Sequence, residues 1–163
     1  MAYPAGQYFI DGKDLYLVFG IVIEKGIDDL LKLPTRKDSI SHDWLDENGV
    51  DVDLSRVYFE PRDISLQCYI VAESEADFMT KYKSFQATLA QPEQRRLEVS
   101  SLSSSYYLYY KECPSFTRIS KIDDTIRPGK IACSLTLTFV EKSPVIDSGN
   151  VYMVTESNLF MIT

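Results

Sequence analysis

The alternation of apolar and polar residues predicts that most of the chain forms β-strands. Apolar side chains occupy every second position in residues 64–71 and again in residues 130–142. A period of two places these side chains on one face of a strand, so each segment is predicted to turn that face to a core. β-Branched and aromatic runs predict further strands over residues 95–102, 105–113 and 115–122.

Three shorter segments predict a further strand, a helical turn and a chain turn. YLVFGIVIE, residues 16–24, is apolar without alternation, which predicts a strand buried on both faces. IDDLLKL, residues 27–33, predicts a short turn of helix. The pair Cys113-Pro114 is a turn signal and is expected to end one strand before the next begins.

One amphipathic helix is predicted over about residues 74–90. Ser74 is a candidate N-cap, Asp77 three positions later completes a capping-box pattern, and Pro92 ends the helix. The apolar side chains recur at helical spacing, which predicts one face packed on the sheet. These side chains are Phe78, Tyr82, Phe85 and Leu89.

Residues 34–55 form a long, turn-rich segment, here called the acidic loop. Residues 38–63 contain eight acidic and two basic residues, a balance of −6 within a formal net charge of −7. The acidic loop also holds the only histidine, His42, and the only tryptophan, Trp44. The pair Asn48-Gly49 favours a tight turn, so the loop is expected to be ordered and to contain a hairpin.

Together these elements predict a fold that is mainly β with one helix (α+β). The expected architecture is a two-sheet β-sandwich or open barrel flanked by the amphipathic helix. A chain of 163 residues, 45% of them apolar, is sufficient for one domain with its own core. We assign residues 1–143 to this domain and expect residues 144–163 to form a C-terminal hairpin, or an arm that completes a neighbour's sheet.

Composition argues against several functions. A net charge of −7 disfavours a generic DNA-binding surface, because such surfaces neutralise phosphates with lysine and arginine. Three widely spaced cysteines without a C-x-x-C pair indicate neither a disulfide framework nor a zinc cluster. The N-terminus lacks the pattern of a signal peptide, and no apolar run approaches the ~20 residues that span a bilayer. We therefore expect no export signal, no membrane binding, no metal and no cofactor.

The acidic loop does not match the spacing of known metal or catalytic motifs. An EF-hand loop that starts at Asp46 has Asp51 where glycine is required, and a register that fits Gly49 starts at Trp44. His42 beside Asp43 lacks the nucleophile context of a catalytic triad. An irregular calcium site and a pair of carboxylates for glycoside hydrolysis remain open alternatives, because only spatial separation would identify them. We expect that the protein is not an enzyme.

The aromatic residues of the chain admit two interpretations. The run YYLYY, residues 106–110, resembles a stacking platform for single-stranded nucleic acid, but such platforms lie in basic grooves and only Lys111 follows it. A strand whose tyrosine rings cover both faces of a sheet is the simpler interpretation. Trp44 is interpreted as an anchor that holds the acidic loop to the body or to a neighbouring subunit, with His42 as its structural hydrogen-bonding partner.

The order of these elements resembles the tail-tube-like domain of tailed-phage tail proteins, in particular the N-terminal domain of siphophage distal tail proteins and the tail tube family. The resemblance covers roughly residues 8–142. Its strongest parts are WLDENGVDVDLS, residues 44–55, and the strand beginning PRDISL that leads into the helix. The aromatic strand SYYLYYKEC follows the helix in the same order.

This resemblance implies a virion structural protein whose copies form a ring, expected to be a hexamer, around a channel through which DNA passes transiently. The implied partners are further copies of the chain and other tail proteins, namely the tube, the tape measure and the baseplate hub. The implied location is the virion tail, after assembly in the bacterial host cytoplasm. We expect the subunit contact to use His42, Trp44, Asp46, Asp51 and Asp53 in the acidic loop, and the C-terminal segment from Tyr152 to Phe160.

A second interpretation from another class remains open at this point. The alternative is a monomeric β-sandwich that binds a small ligand or a glycan. In that case Trp44 and the tyrosines of residues 106–110 would line a common groove.

Overall fold

The computed structural model describes residues 4–46, 48–119, 130–145, 152–154 and 160–162. The helices are Leu15–Phe19 (α1) and Glu75–Leu89 (α2), and 3-10 turns span Ile27–Leu31 and Ser100–Leu102. The strands, in chain order, are Tyr8–Ile10 (β1), Lys13–Asp14 (β2), Ile21–Lys25 (β3), Ser41–His42 (β4), Asp51–Val52 (β5), Arg62–Ala72 (β6), Arg95–Val99 (β7), Ser104–Ile119 (β8), Ile131–Glu141 (β9), Tyr152–Val154 (β10) and Phe160–Ile162 (β11). The chain is therefore mainly β with one main helix, which confirms the predicted α+β class.

Seven strands form one antiparallel sheet in the order β2-β1-β7-β8-β9-β6-β3. Strand β8, 16 residues long, changes partner along its length. Residues 104–108 pair with β7, and residues 109–119 pair with β9. A strand that changes partner in this way turns a corner between two parts of a sheet. We call β3, β6, β9 and residues 109–119 of β8 the long half of the sheet.

The predicted strand over residues 16–24 is wrong in its first part, because Leu15–Phe19 is helical. The Asp14 carboxylate accepts hydrogen bonds from the backbone N–H groups of Tyr16 (2.8 Å) and Leu17 (2.9 Å), which caps the start of α1. Gly20 ends it in the left-handed conformation, with φ of 67°. Capping at both ends outweighs the strand preference of the aromatic Tyr16 and Phe19 and the β-branched Val18. The strand begins only after the glycine, at Ile21.

The turn predicted at Cys113-Pro114 is also wrong, because β8 continues through it. Across this point Glu112 pairs with Thr138 and Ser115 pairs with Thr136, so three steps along β8 face two steps along β9. The resulting bulge leaves a residue out of the ladder. Proline, which has no N–H to contribute, is tolerated at such a site.

The predicted helix is confirmed as α2. The Ser74 hydroxyl accepts a hydrogen bond from the Asp77 N–H (3.2 Å), and the Asp77 carboxylate accepts one from Lys81 (2.8 Å). Phe78 and Phe85 are buried between the helix and the sheet. The short helical turn predicted near residue 27 is present as the 3-10 turn Ile27–Leu31.

The core lies between the helices and one face of the sheet. Strand β6 alternates strictly, with buried Ile64, Leu66, Cys68 and Ile70 separated by more exposed positions. Strand β9 contributes Cys133, Leu135, Leu137 and Phe139 to the same layer. The predicted period of two is confirmed in β6. In β9 the predicted core face is buried, but Ala132, Thr138 and Val140 of the opposite face are buried as well.

The C-terminal strands form a sheet of their own. β10 and β11 pair antiparallel, with Tyr152 opposite Ile162 and Val154 opposite Phe160. Residues 146–151, 155–159 and 163 lie outside the described residues. The proposed assignment of residues 144–163 to the same domain or to a subunit contact therefore stays a prediction.

Candidate subunit interface

The acidic loop belongs to a longer hairpin, residues 32–61, which we call the arm. Its two sides are joined by backbone hydrogen bonds from Lys37 N–H to Tyr58 O (2.8 Å), from Glu60 N–H to Thr35 O (2.8 Å) and from Asp53 N–H to Ile40 O (2.9 Å). Nearer the tip, β4 pairs with β5. The hairpin that the Asn48-Gly49 signal predicted is therefore present, and Gly49 has the positive φ, 92°, that such a turn requires.

The arm stands away from the body of the subunit. None of the described residues between 32 and 61 is buried, and only Pro34, Ser39 and Phe59 are half-buried. A two-stranded hairpin has no core of its own and is marginally stable in isolation. Large apolar side chains are nevertheless exposed along it, namely Leu33, Ile40, Leu45, Val50, Leu54 and Val57. Exposed apolar side chains that adjoin one another can form an interaction surface.

The tip of the arm brings three of the predicted interface residues together. The rings of His42 and Trp44 are 3.9 Å apart between centroids in an edge-on arrangement, and His42 pairs with Asp51 across the hairpin. Trp44 is 50% exposed and Leu45 beside it is fully exposed. His42, on the same arm, is the ring partner described for Trp44, and half of the indole is exposed to solvent. The alternative in which it contacts a neighbouring subunit remains.

The other predicted interface residues have different positions. Asp46 is exposed in the turn of the tip, and Asp53 lies just beyond β5. Hydrogen bonds from the hydroxyl and backbone N–H of Ser55 lower the pKa of Asp53. Tyr152 and Phe160 lie in β10 and β11, where the described features are the backbone strands and their pairing.

A buried ion pair, which the sequence did not reveal, holds the base of the arm. Arg62, the first residue after the arm, contacts the carboxylate of Glu141 on β9 and donates to the carbonyl oxygens of Leu30 (3.0 Å) and Lys32. The two charged side chains are 16% and 11% exposed. The nearest sequence signal is a charged residue that opens an otherwise apolar strand, and it gives no indication of a partner 79 positions away.

The long half of the sheet has two unpaired edges among the described residues. Strand β3 pairs with β6 on one side, and residues 109–119 of β8 pair with β9 on one side. No described strand occupies the other side of either segment. Free edges of this kind offer backbone N–H and C=O groups to another chain.

The face of the long half that points away from α2 is polar and carries few charges. Side chains alternate between faces along a strand, so the positions between the buried ones lie here. They include the polar residues Ser65, Gln67, Tyr69, Ser115, Thr117, Ser134, Thr136 and Thr138, the apolar Val71, Ala132 and Val140, and the charged Asp63, Glu112 and Lys25, the last opposite Gln67. A hydrogen bond of 2.9 Å joins the hydroxyls of Ser115 and Thr136. Lys111 is paired with Asp63 at 2.6 Å. The excess of acidic residues lies on the arm, not on this face.

Two further observations concern other kinds of site. Across the described ranges, no three His, Cys, Asp or Glu side chains converge as a metal site. The helices of the described part of the chain are too short or too polar to cross a bilayer. Trp44 lies on the arm whereas the exposed Tyr107 and Tyr109 lie on β8, so the residues of the predicted ligand groove are on separate elements.

Comparison with solved structures identifies the fold. Seven chains match, among them the crystal structure of the SPP1 Dit protein (gp 19.1), described as a paradigm of the hub adsorption apparatus in phages that infect Gram-positive bacteria. The match has a TM-score of 0.55 and 15% sequence identity, and it covers 85% of this chain and 50% of that protein. This chain thus spans about half the length of the Dit protein. No family model and no curated protein sequence matches it. The chain therefore has a phage tail-type fold at the level of overall architecture.

Proposed function

We propose that the protein is a structural component of a phage or prophage-derived tail that assembles as a ring, of the distal tail or tail tube type. The observation that carries this proposal is the pair of unpaired edges, β3 and the second part of β8, on the two sides of the long half. An edge at each side allows a head-to-tail contact in which β8 of one copy pairs with β3 of the next. Such heterologous contacts close into a ring when the rotation between copies fits. The expected ring is a hexamer.

The polar face of the long half is proposed to line the channel. In a ring closed by these edges, one face of every sheet points inward, and the other is covered by α2. Affinity for DNA comes mainly from lysine and arginine against phosphate. The polar face offers mainly hydroxyl and amide groups. It has two acidic residues, Asp63 and Glu112, and of its lysines Lys111 is paired with Asp63 while Lys25 lies at the β3 edge. DNA in transit would therefore find little to bind. This role needs no catalytic residue and no cofactor.

The arm is proposed to contact neighbouring subunits or other tail proteins. Its exposed apolar side chains have no cover within the described chain, and a second protein surface would supply it. The proposed location is the virion tail after assembly in the host cell, and the proposed partners are the tube, tape measure and hub proteins.

The proposal is tested by the assembly state of the purified protein. Light scattering after size exclusion and negative-stain electron microscopy are expected to show rings of about six copies. Hydrogen exchange measured by mass spectrometry provides a test of the edges. Outward amides of β3 and of residues 109–119 should exchange rapidly in dilute protein and become protected on assembly, whereas β6, paired on both sides, is protected in both states. A monomer at every concentration would contradict the proposal.

Deletion of residues 38–53 tests whether the arm serves assembly or the stability of the fold. Because none of the described residues in this part of the arm is buried, the shortened chain is expected to keep its unfolding transition and lose assembly. Loss of the fold instead would mean that the arm stabilises the core.

A further inference from the structure

An apolar groove lies between α2 and β8. It contains a cavity of about 210 Å³ that opens to solvent. The helix contributes Tyr82, Phe85, Gln86, Leu89 and Ala90, and the sheet contributes Tyr110, Cys113, Leu135 and Leu137. Binding sites for small molecules usually enclose about 300 Å³ or more. This cavity is therefore better suited to one or two side chains than to a free ligand.

The groove continues beyond the cavity as an exposed apolar strip. Phe116 on β8 packs against Tyr82 with 5.4 Å between ring centroids, yet it remains 42% exposed. Met79, about one turn before Tyr82 on α2, is also 42% exposed. Lys83 lies one turn before Gln86 on this flank of the helix, and it has no ion-pair partner among the described residues. An apolar strip with a free cation at its rim fits an apolar segment that carries acidic residues.

The groove lies next to an unpaired edge of the sheet. Its sheet side is formed by the second part of β8, the segment with an unpaired edge, and by Leu135 and Leu137 of the adjoining β9. In the ring proposed above, this edge carries the neighbouring copy. Whatever covers the groove is therefore adjacent to a second copy of the chain.

The tip of the arm has the complementary properties. Trp44 and Leu45 are exposed apolar residues, and Asp43 and Asp46 flank them. From residue 35 to residue 44 the extended chain spans about 30 Å, which takes the tip well beyond the base of the arm. Because Leu45 is fully exposed, its burial in an apolar groove would favour association.

We propose that the arm tip of one copy, Trp44 with Leu45, seats in the groove between α2 and β8 of the next copy. This inference rests on the proposed ring and names a contact that stabilises it. Lys83 at the rim then faces the carboxylates of Asp43 and Asp46. Each subunit would hold its neighbour twice, once by strand pairing and once by the arm.

Cys113 in the groove provides a direct test. It is half-buried in the cavity wall, whereas Cys68 and Cys133 are almost completely buried. The variant Leu45→Cys adds a thiol to the exposed tip, and diamide at pH 8.5 oxidises two neighbouring thiols to a disulfide. If the tip occupies the groove of the next copy, non-reducing electrophoresis will show a ladder of covalent oligomers from most of the protein. Reductant will return the ladder to monomer.

Two matched variants control for chance collisions. Leu45→Cys combined with Cys113→Ser should give no ladder. Leu54→Cys, on the same arm, exposed but nearer its base, should also give none. Equal crosslinking from Leu54→Cys, or a compact crosslinked monomer that depends on Cys113, would overturn the proposal. Rings seen by microscopy without a ladder would overturn this contact and leave the proposed ring intact, whereas a protein that stays monomeric would overturn both.

Discussion

Arg62 and Glu141 form a buried ion pair that joins the base of the arm to the end of β9. The guanidinium group contacts the Glu141 carboxylate and also donates to two backbone carbonyls before β6, including that of Leu30 at 3.0 Å. Arg62 thus links the 3-10 turn Ile27–Leu31 to strand β9 of the sheet. Three acceptors around one cation leave the pair well compensated despite its burial.

Loss of either partner of this pair is expected to destabilise the fold. Glu141→Gln should lower the free energy of unfolding by roughly 2–4 kcal/mol, because it leaves the arginine charge buried without a counter-ion. Urea unfolding followed by circular dichroism measures the change. Lys111→Gln, which breaks the exposed contact with Asp63, serves as the control and should cost less than about 1 kcal/mol. Equal effects of the two substitutions would contradict the buried role.

Gly20 is expected to resist substitution. Its φ is 67°, and a Cβ atom there would collide with the carbonyl oxygen of Val71 on β6. Gly20→Ala should therefore cost about 2–3 kcal/mol, from backbone strain and from displacement of β6. Gly12→Ala is a matched control, since Gly12 has a φ of 76° and open space around it. Gly12→Ala should lower the free energy of unfolding by only about 1 kcal/mol, from backbone strain. Thermal unfolding of the two variants would then separate the effect of steric collision from that of strain.

Asp14 should make the stability of the protein depend on acidic pH. Burial tends to raise the pKa of this carboxyl, but hydrogen bonds from the backbone N–H groups of Leu17, Gly6 and Tyr16 outweigh it and hold the pKa below 3.8. A lowered pKa in the folded state adds stability that is present above about pH 4 and is lost as the pH falls through the folded value.

The corresponding variant is Asp14→Ala. At pH 7 it should lower the free energy of unfolding by about 1–2 kcal/mol, the usual cost of a lost N-cap. The difference from the natural protein should narrow below pH 4. Urea midpoints from pH 7 to pH 2.5 measure this, and a difference that is constant over the range would contradict the role of the charge.

The three cysteines are expected to differ in reactivity. Burial raises the pKa of Cys68 to about 12, with the nearby Cys113 thiol adding to the effect. Burial also raises the pKa of Cys113, but this side chain is partly exposed. Iodoacetamide at pH 8.5 should therefore modify Cys113 slowly in the folded protein, and the other two only after unfolding. Mass spectrometry of the labelled peptides gives the order in which the three cysteines react.

Trp44 gives an optical signal for the arm. It is the only tryptophan and is 50% exposed in the single subunit. If assembly covers the arm tip, its emission should move to shorter wavelength as protein concentration rises, and iodide should quench it less. Deletion of residues 144–163 would leave this signal intact if the C-terminal segment has no part in the contact of the arm. An emission maximum independent of concentration, in a sample with rings, would place Trp44 outside the interface.

Periodicity predicted the elements whose geometry is set locally. Strands β6 and β9 followed from alternation, and α2 followed from its cap and its apolar face. Helix α1 was missed because hydrogen bonds to Asp14 and the left-handed Gly20 decide it, against the preference of its side chains. Strand β8 was divided at Pro114 because a bulge is a property of two strands, and only one of them is visible in the local sequence.

The same distinction between local features and features set by the fold applies to the candidate interface. The arm tip is a local feature, and its turn signal, its charge and its unusual residues pointed to it. The groove between α2 and β8 depends on which strand packs under the helix. Leu45 and Cys113 therefore gained importance only from the fold, and the pairing of Arg62 with Glu141 likewise required the full sheet.

The order of strands in the long half has a consequence for timing. Strand β9 lies between β8 and β6, although both precede it in the chain. Strand β9 comprises residues 131–141. Until these residues have left the ribosome, the β3–β6 pair cannot be connected to the second part of β8. A nascent chain therefore lacks a completed sheet with both edges available to other copies. In the proposed ring, the last strand to be synthesised in this sheet would be the one that completes both edges, which would delay association between chains that are still being translated.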